Sequence, residues 1–193
     1  MSDAPSTRDR LLALASTVFA NEGYSSASVR DLAARSDLTS GAIYGNFRSK
    51  ADLLLAAIDT QIYDELVQVP PPGISEIADV LAHIFSGYED RRQLRALLLE
   101  GAVAGRSDTE VRETLAADQT AKLEEWSEIY RVWQERNEID SELETRDVVA
   151  LLWAMELGLG VLEAIGVDLP AGEEIGTIVG RFVRGVAPDS SDD

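Results

Sequence analysis

The sequence predicts an all-α fold of about nine helices. Three observations carry that prediction. Apolar residues recur at three- and four-residue spacing along most of the chain. No segment alternates apolar and polar residues as a strand would. Pro and Gly clusters interrupt the pattern at intervals that suit helices rather than strands.

Leu11, Leu12, Ala15, Val18 and Phe19 form the first stripe. Ser6-x-x-Asp9 precedes it, a capping-box variant in which the Ser oxygen takes a free N–H at the helix start. Gly23 follows, where a left-handed residue is expected, and Tyr24 can close the end with an apolar contact. Ser28-x-x-Asp31 opens a second helix over 29–35. It ends at Ser36-Asp37, since Asp tolerates the left-handed conformation better than most residues. Thr39 caps a short third helix through about Phe47. Ser49-x-x-Asp52 opens a fourth, with Leu53, Leu54, Ile58 and Ile62 on one face. A short helix, a three- or four-residue turn and another short helix make helix-turn-helix spacing.

The third helix is a poor structural helix. It opens Thr39-Ser40-Gly41-Ala42, and Gly41 costs up to about 1 kcal/mol against Ala. Small residues at a helix start let the backbone approach another surface closely, as in a major groove. Ile43 and Phe47 are expected to face inward. Tyr44 and Asn46 point elsewhere and can donate to phosphates. Lys50 stands in the first turn of the next helix, where the dipole disfavours a cation unless an external anion is bound there.

Residues 8–58 resemble the DNA-binding domain of the TetR (tetracycline-repressor-like) family of transcriptional regulators. The likeness rests on Leu11, Ala15, Phe19, Gly23-Tyr24, Ser28, Leu32-Ala33, Ser40, Tyr44, Phe47 and Lys50-x-x-Leu53-Leu54, and above all on the run AIYGNFRSKADLLLAAI. The resemblance implies residues 1–50 as a helix-turn-helix domain and 51–187 as a helical effector-binding and dimerisation domain, while 188–193, acidic and Ser-rich, read as a disordered tail. It implies a homodimer on a palindromic operator in double-stranded DNA, more often repressing than activating, and a small-molecule ligand that releases it. Carried over by position, Thr39, Ser40, Gly41, Ala42 and Arg30 fall where bases are contacted. Ser28, Tyr44, Asn46 and Lys50 fall where phosphates are held. Asp37 departs from the family's usual Gly, Gly45 from a larger or basic residue, and Ser28 from Thr.

Beyond the Pro70-Pro71-Pro72-Gly73 break the residues are less specific. Ile77, Leu81, Ile84, Phe85 and Tyr88 make a fifth helix. A further break spans 101–107, and Ser107-x-x-Glu110 reads as the start of a long helix to about Glu135. Breaks near 139–141 and 166–170 frame the last two helices. Sites between bundle helices are usual places for small ligands. His83, Phe85, Tyr88, Trp126, Tyr130, Trp133, Trp153 and Glu156 are the candidates, for a hydrophobic or cationic molecule, although an aromatic stripe is more often plain core. Glu156 is expected to be buried and needs a partner, which sequence leaves open between an Arg, a hydrogen bond and a cationic ligand. Ala154 and Gly158, with Val161 and Leu162, and Ile175, Ile178, Val179 and Phe182 on the ninth helix, read as the dimer bundle.

Charge and composition narrow the function. The chain carries 17 basic against 35 acidic residues, a net charge of -18. That balance argues against nucleic acid only on average, because the first 60 residues hold six basic against seven acidic ones. The surplus sits in the remainder, where its plainest effect is solubility. There is no Cys, and His83 is the single His. Disulfides, thiolate zinc sites and paired Glu-x-x-His iron sites are therefore excluded. No nucleophile elbow or phosphate-binding glycine loop appears, so no enzyme activity, cofactor or metal is expected. Residues 148–167 are long enough to span a bilayer, but Glu156 at the centre and a lone flanking Arg146 favour a buried helix. With no charged leader before an apolar run, a cytoplasmic protein is the simplest expectation. The competing reading is a helical protein-interaction module without sequence-specific DNA binding.

Overall fold

The computed structural model describes residues 6–66 and 76–186, with side chains through 61 and 184 respectively. The Pro70–Gly73 break, the 188–193 tail and the side chains of Ile62 and Val186 lie outside the described residues. Those residues form nine α-helices and one 3-10 turn, with no strand among them. They divide into two compact units: residues 6–66 with Gln93–Ala117, and residues 76–92 with 118–186.

The first unit begins with α1 (Thr7–Glu22), α2 (Val29–Arg35), α3 (Ser40–Tyr44) and α4 (Lys50–Leu66). Ser6 and Asp9 form the full reciprocal box: the Ser6 hydroxyl accepts the Asp9 N–H at 3.1 Å, and the Asp9 carboxylate accepts the Ser6 N–H at 3.0 Å. Hydrogen bonding from the Ser6 side chain and backbone to the Asp9 carboxylate holds that carboxyl below its ordinary range. Ser28 and Ser49 also cap, each accepting an N–H three residues on at 3.1 Å. Their aspartates differ. Asp31 takes the Ser28 hydroxyl proton at 2.6 Å, and Asp52 takes the Arg48 N–H at 2.9 Å, so neither box closes on the capping residue's own backbone. Each cap stabilises its helix by about 1 kcal/mol.

Leu11, Phe19, Leu32, Ile43, Leu53, Leu54 and Ile58 are almost wholly buried. Burying each is worth about 1.5–3 kcal/mol. Two turns use left-handed backbone: Gly23 at φ 91°, and Asp37 at φ 54°, where the sequence reading placed them. Residues from α6 (Arg92–Ala104) and α7 (Thr109–Glu135) complete this unit. The cap of α7 is Asp108, not Ser107. Its carboxylate accepts the Glu110 and Val111 N–H groups at 3.0 and 3.3 Å. Ser107 instead donates back to the Ala104 carbonyl, so it belongs to the turn that ends α6.

The second unit contains α5 (Ile77–Ser86), the 3-10 turn Tyr88–Arg91, the later part of α7, α8 (Thr145–Ala164) and α9 (Gly172–Val186). Its core gathers Val80, Leu81, Phe85, Tyr88, Tyr130, Trp133, Val149, Ile175 and Val179. Tyr88 is not on the fifth helix as read from sequence, because Gly87 ends that helix and the chain tightens into the 3-10 turn. Helix α9 lies directly on α5. A Cβ at Gly172 would overlap the Ser86 carbonyl, one at Gly176 the Ala82 carbonyl, and one at Gly180 would stand 3.0 Å from the Ala82 side chain. The four-residue glycine spacing is what lets the two backbones meet. No helix of the described residues is long and apolar enough to cross a membrane.

Candidate nucleic-acid interface

Helix α3 has five residues, shorter than the sequence reading through Phe47. Asn46 explains the early stop: its amide donates to the Ala42 carbonyl at 2.8 Å and satisfies an acceptor the helix would otherwise use. Thr39 caps the helix through its hydroxyl, which accepts the Ala42 N–H at 3.1 Å. Ile43 and Phe47 are buried, as expected, and fix α3 to the unit.

The nine sequence-chosen contact residues are Ser28, Arg30, Thr39, Ser40, Gly41, Ala42, Tyr44, Asn46 and Lys50, and none of them is buried. Tyr44 is 55% exposed, a large side chain with no core to fill. A Cβ added at Gly41 would meet only the Thr39 hydroxyl, at 3.8 Å. The chain's own packing therefore gives no reason for a glycine there. Asn46 spends part of its donor capacity on the helix end, so it has less to offer a phosphate than the sequence reading supposed.

Lys50 is placed differently from a solvated lysine. Its ammonium lies 4.0 Å from the centre of the Tyr24 ring. Burial lowers its pKa, and the nearby Asp108 charge opposes that shift. Tyr24 is buried, packs with its ring tilted against Phe19 at 5.3 Å, and donates its backbone N–H to the Glu100 carboxylate at 2.8 Å. The sequence reading missed Glu100, for its signal is tertiary. It also missed Arg8, whose guanidinium lies 5.4 Å from the Phe47 ring. Arg35 is engaged with Glu22 through two short bonds, which hold the Glu22 carboxyl below its ordinary range.

Comparison with known proteins agrees with this geometry. The sequence model described as "Bacterial regulatory proteins, tetR family" matches residues 11–57, the span from α1 into α4. Over that span the chain is similar to the TetR family. Within 53 residues the chain is 42% identical to the HTH-type transcriptional repressor KstR2 of Mycolicibacterium smegmatis, covering 28% of the chain and 26% of that protein. It thus spans about a quarter of that relative's length. Over 166 residues it is 27% identical to the HTH-type transcriptional regulator UidR of Escherichia coli, covering 85% of the chain and 84% of the relative. The solved structure of FadR from Bacillus subtilis in complex with stearoyl-CoA superposes with a TM-score of 0.74 at 17% identity, covering 90% of the chain and 96% of the other. That last likeness is one of fold alone.

In the second unit the ligand candidates separate into groups. Phe85, Tyr88, Tyr130 and Trp133 belong to the packed core, with Tyr130 and Trp133 edge to face at 5.5 Å. Trp126 and Trp153 meet edge to face at 5.2 Å and are partly exposed, and the Trp153 indole donates to Gln119 at 2.9 Å. His83 is exposed on α5. Glu156 is buried and has its partner: Arg91, itself buried, donates to both carboxylate oxygens at 3.1 Å and to the Ile84 carbonyl at 2.7 Å. Of the three partners sequence left open, an Arg is the one observed.

The dimer candidates also separate. Gly158 has no neighbour within 4 Å of an added Cβ, and Ala154 is exposed beside it. Val161, Leu162, Ile178 and Phe182 are exposed, Phe182 by 67%. Leu151 and Ile165 on or just after α8 are exposed as well, by 69% and 70%. Ile175 and Val179 lie elsewhere, buried in the core. They share a helix with Ile178 and Phe182, but the glycine face of α9 turns the first pair inward and the second outward.

Proposed function

We propose that this chain is a dimeric, operator-binding transcriptional regulator, a repressor that a small-molecule ligand releases from DNA. The observation that carries the reading is the split within residues 28–50: Ile43 and Phe47 are buried, while the nine candidate contact residues stay accessible. Such a split fits a recognition helix anchored from behind and offered to a groove. In this reading residues 1–50 bind DNA and residues 51–187 bind the effector and the second subunit. The name of the relative KstR2, a transcriptional repressor, supports repression over activation.

The second copy fits the exposed apolar residues of α8 and α9, which a lone subunit leaves in water. Two recognition helices then read half-sites about 34–36 Å apart. For the ligand, the Arg91–Glu156 pair removes the motive for a cation, because the buried carboxylate is already neutralised. A hydrophobic molecule near the partly exposed Trp126 and Trp153 is favoured, and the stearoyl-CoA complex of FadR is in keeping with it. A regulator of this kind works in the cytoplasm and needs no catalytic site.

The test is selection from a genomic fragment library at fixed salt, comparing wild type with the Tyr44→Ala/Lys50→Ala double variant. Wild type is expected to enrich a palindromic site that the double variant loses. Enrichment of nothing, across a range of salt and with cell extract supplying ligands, would overturn the reading in favour of a protein-interaction module.

A further inference from the structure

The Lys50 ammonium and the Tyr24 ring face are 4.0 Å apart, within the range of a cation–π contact. This is an odd place for a cation. Lys50 begins α4, where free N–H groups and the helix dipole repel positive charge. Burial weakens the ammonium further. The ring face offsets part of that penalty. It also restricts a side chain with four rotatable bonds to a small region of space. The ring packs against Phe19 at 5.3 Å, and the Tyr24 backbone N–H is held by the Glu100 carboxylate at 2.8 Å. Burial and the charges of Asp108 and Glu110 push the Tyr24 hydroxyl up to about 12, so the ring stays neutral under Lys50 at working pH.

We infer that Tyr24 is a positioning residue for DNA binding: its ring holds the Lys50 ammonium at the start of α4, ready for a backbone phosphate. The inference rests on the operator-binding reading and on Lys50 as a phosphate contact. Tyr24 itself touches no DNA and acts through Lys50 alone. A preordered lysine loses less side-chain freedom on binding, and that is the gain the ring provides. The ring matters and the hydroxyl does not, so Phe is expected to replace Tyr without loss.

The experiment is a cycle of four proteins, wild type, Tyr24→Leu, Lys50→Met and the double variant, with Tyr24→Phe alongside. Operator affinity is read at several salt concentrations, and the ring-current shift of the Lys50 side-chain protons is read by NMR on the free protein. Tyr24→Leu is expected to weaken binding about threefold per subunit and to abolish the ring-current shift, while Tyr24→Phe changes neither. Lys50→Met is expected to reduce the salt slope by about 1 per subunit. In its background Tyr24→Leu should have no further effect. Equal losses from Tyr24→Leu with and without Lys50 would overturn the inference, since Tyr24 would then act through the fold. So would unchanged binding by Tyr24→Leu, or by Lys50→Met, with the operator still bound. A wild type that selects no operator defeats the regulator reading itself, a result distinct from all of these.

Discussion

Gly41 allows the fold and the function to be separated with a single methyl group. It is the second residue of α3, exposed, with open space around an added Cβ apart from the Thr39 hydroxyl at 3.8 Å. Replacing it by Ala removes no hydrogen bond and creates no clash within the chain. Helix propensity then favours Ala by up to about 1 kcal/mol. For a chain of this size that gain corresponds to a rise in Tm of about 2–4 °C. DNA reverses the sign. If the helix start lies against base edges, a methyl group there holds the backbone away and weakens at least one contact worth about 1–3 kcal/mol. A loss of about 1.4 kcal/mol is tenfold in Kd. Gly41→Ala is thus expected to melt higher and bind its operator about tenfold more weakly. Thermal unfolding by circular dichroism and fluorescence anisotropy on a labelled operator measure the two quantities on one preparation. A lower Tm would show the space around Gly41 to be needed by the fold. A higher Tm with undiminished affinity would refute the close approach of α3 to DNA.

Four further predictions use other parts of the molecule. Glu156→Ala removes the carboxylate that the buried Arg91 meets at 3.1 Å and is expected to cost about 3–5 kcal/mol in urea unfolding, with Arg91→Met/Glu156→Leu recovering most of it. Gly176→Ala must push α9 off the Ala82 carbonyl and is expected to destabilise by about 1–3 kcal/mol, whereas Gly158→Ala meets nothing in the subunit and should instead weaken association, as read by sedimentation. Asp37→Gly relieves a left-handed aspartate at φ 54° and removes a negative charge, so both stability, by about 0.5–1 kcal/mol, and operator affinity should rise. Three or four phosphate contacts per subunit give a log–log salt slope of about -5 to -7 for a dimer, and a slope near -10 would mean that cations outside residues 28–50 also contact DNA.

The local rules of the first unit were legible because caps and turns are short-range. Ser6, Ser28 and Ser49 sit three residues before an aspartate, and each does cap its helix. Asp37 announced a left-handed turn in the same way. Ser107 misled because Asp108, next to it, is the stronger acceptor for a helix start. Partners distant in sequence were not legible. Nothing in periodicity pairs Glu156 with Arg91 or sets Lys50 on Tyr24, since both contacts depend on how helices pack. On α9 the glycine signal was present in the sequence but went unread. The stripe that receives a helix within the subunit is Gly172, Gly176 and Gly180. That stripe then decides which apolar residues of α9 remain outside.

The same stripe limits how the second unit can move. A glycine sits over α5 every fourth residue, and every residue between them carries a side chain or turns away. Sliding α9 along α5 by one or two residues would drive a side chain into the Ala82 or Ser86 backbone. The next register that restores the fit lies four residues away, about 6 Å along the axis. Small graded slippage between these helices is therefore closed to the protein. The pair behaves as one double-width beam, and any rearrangement of the outward residues Ile178 and Phe182 has to rotate that beam whole, His83 and its neighbours on α5 included.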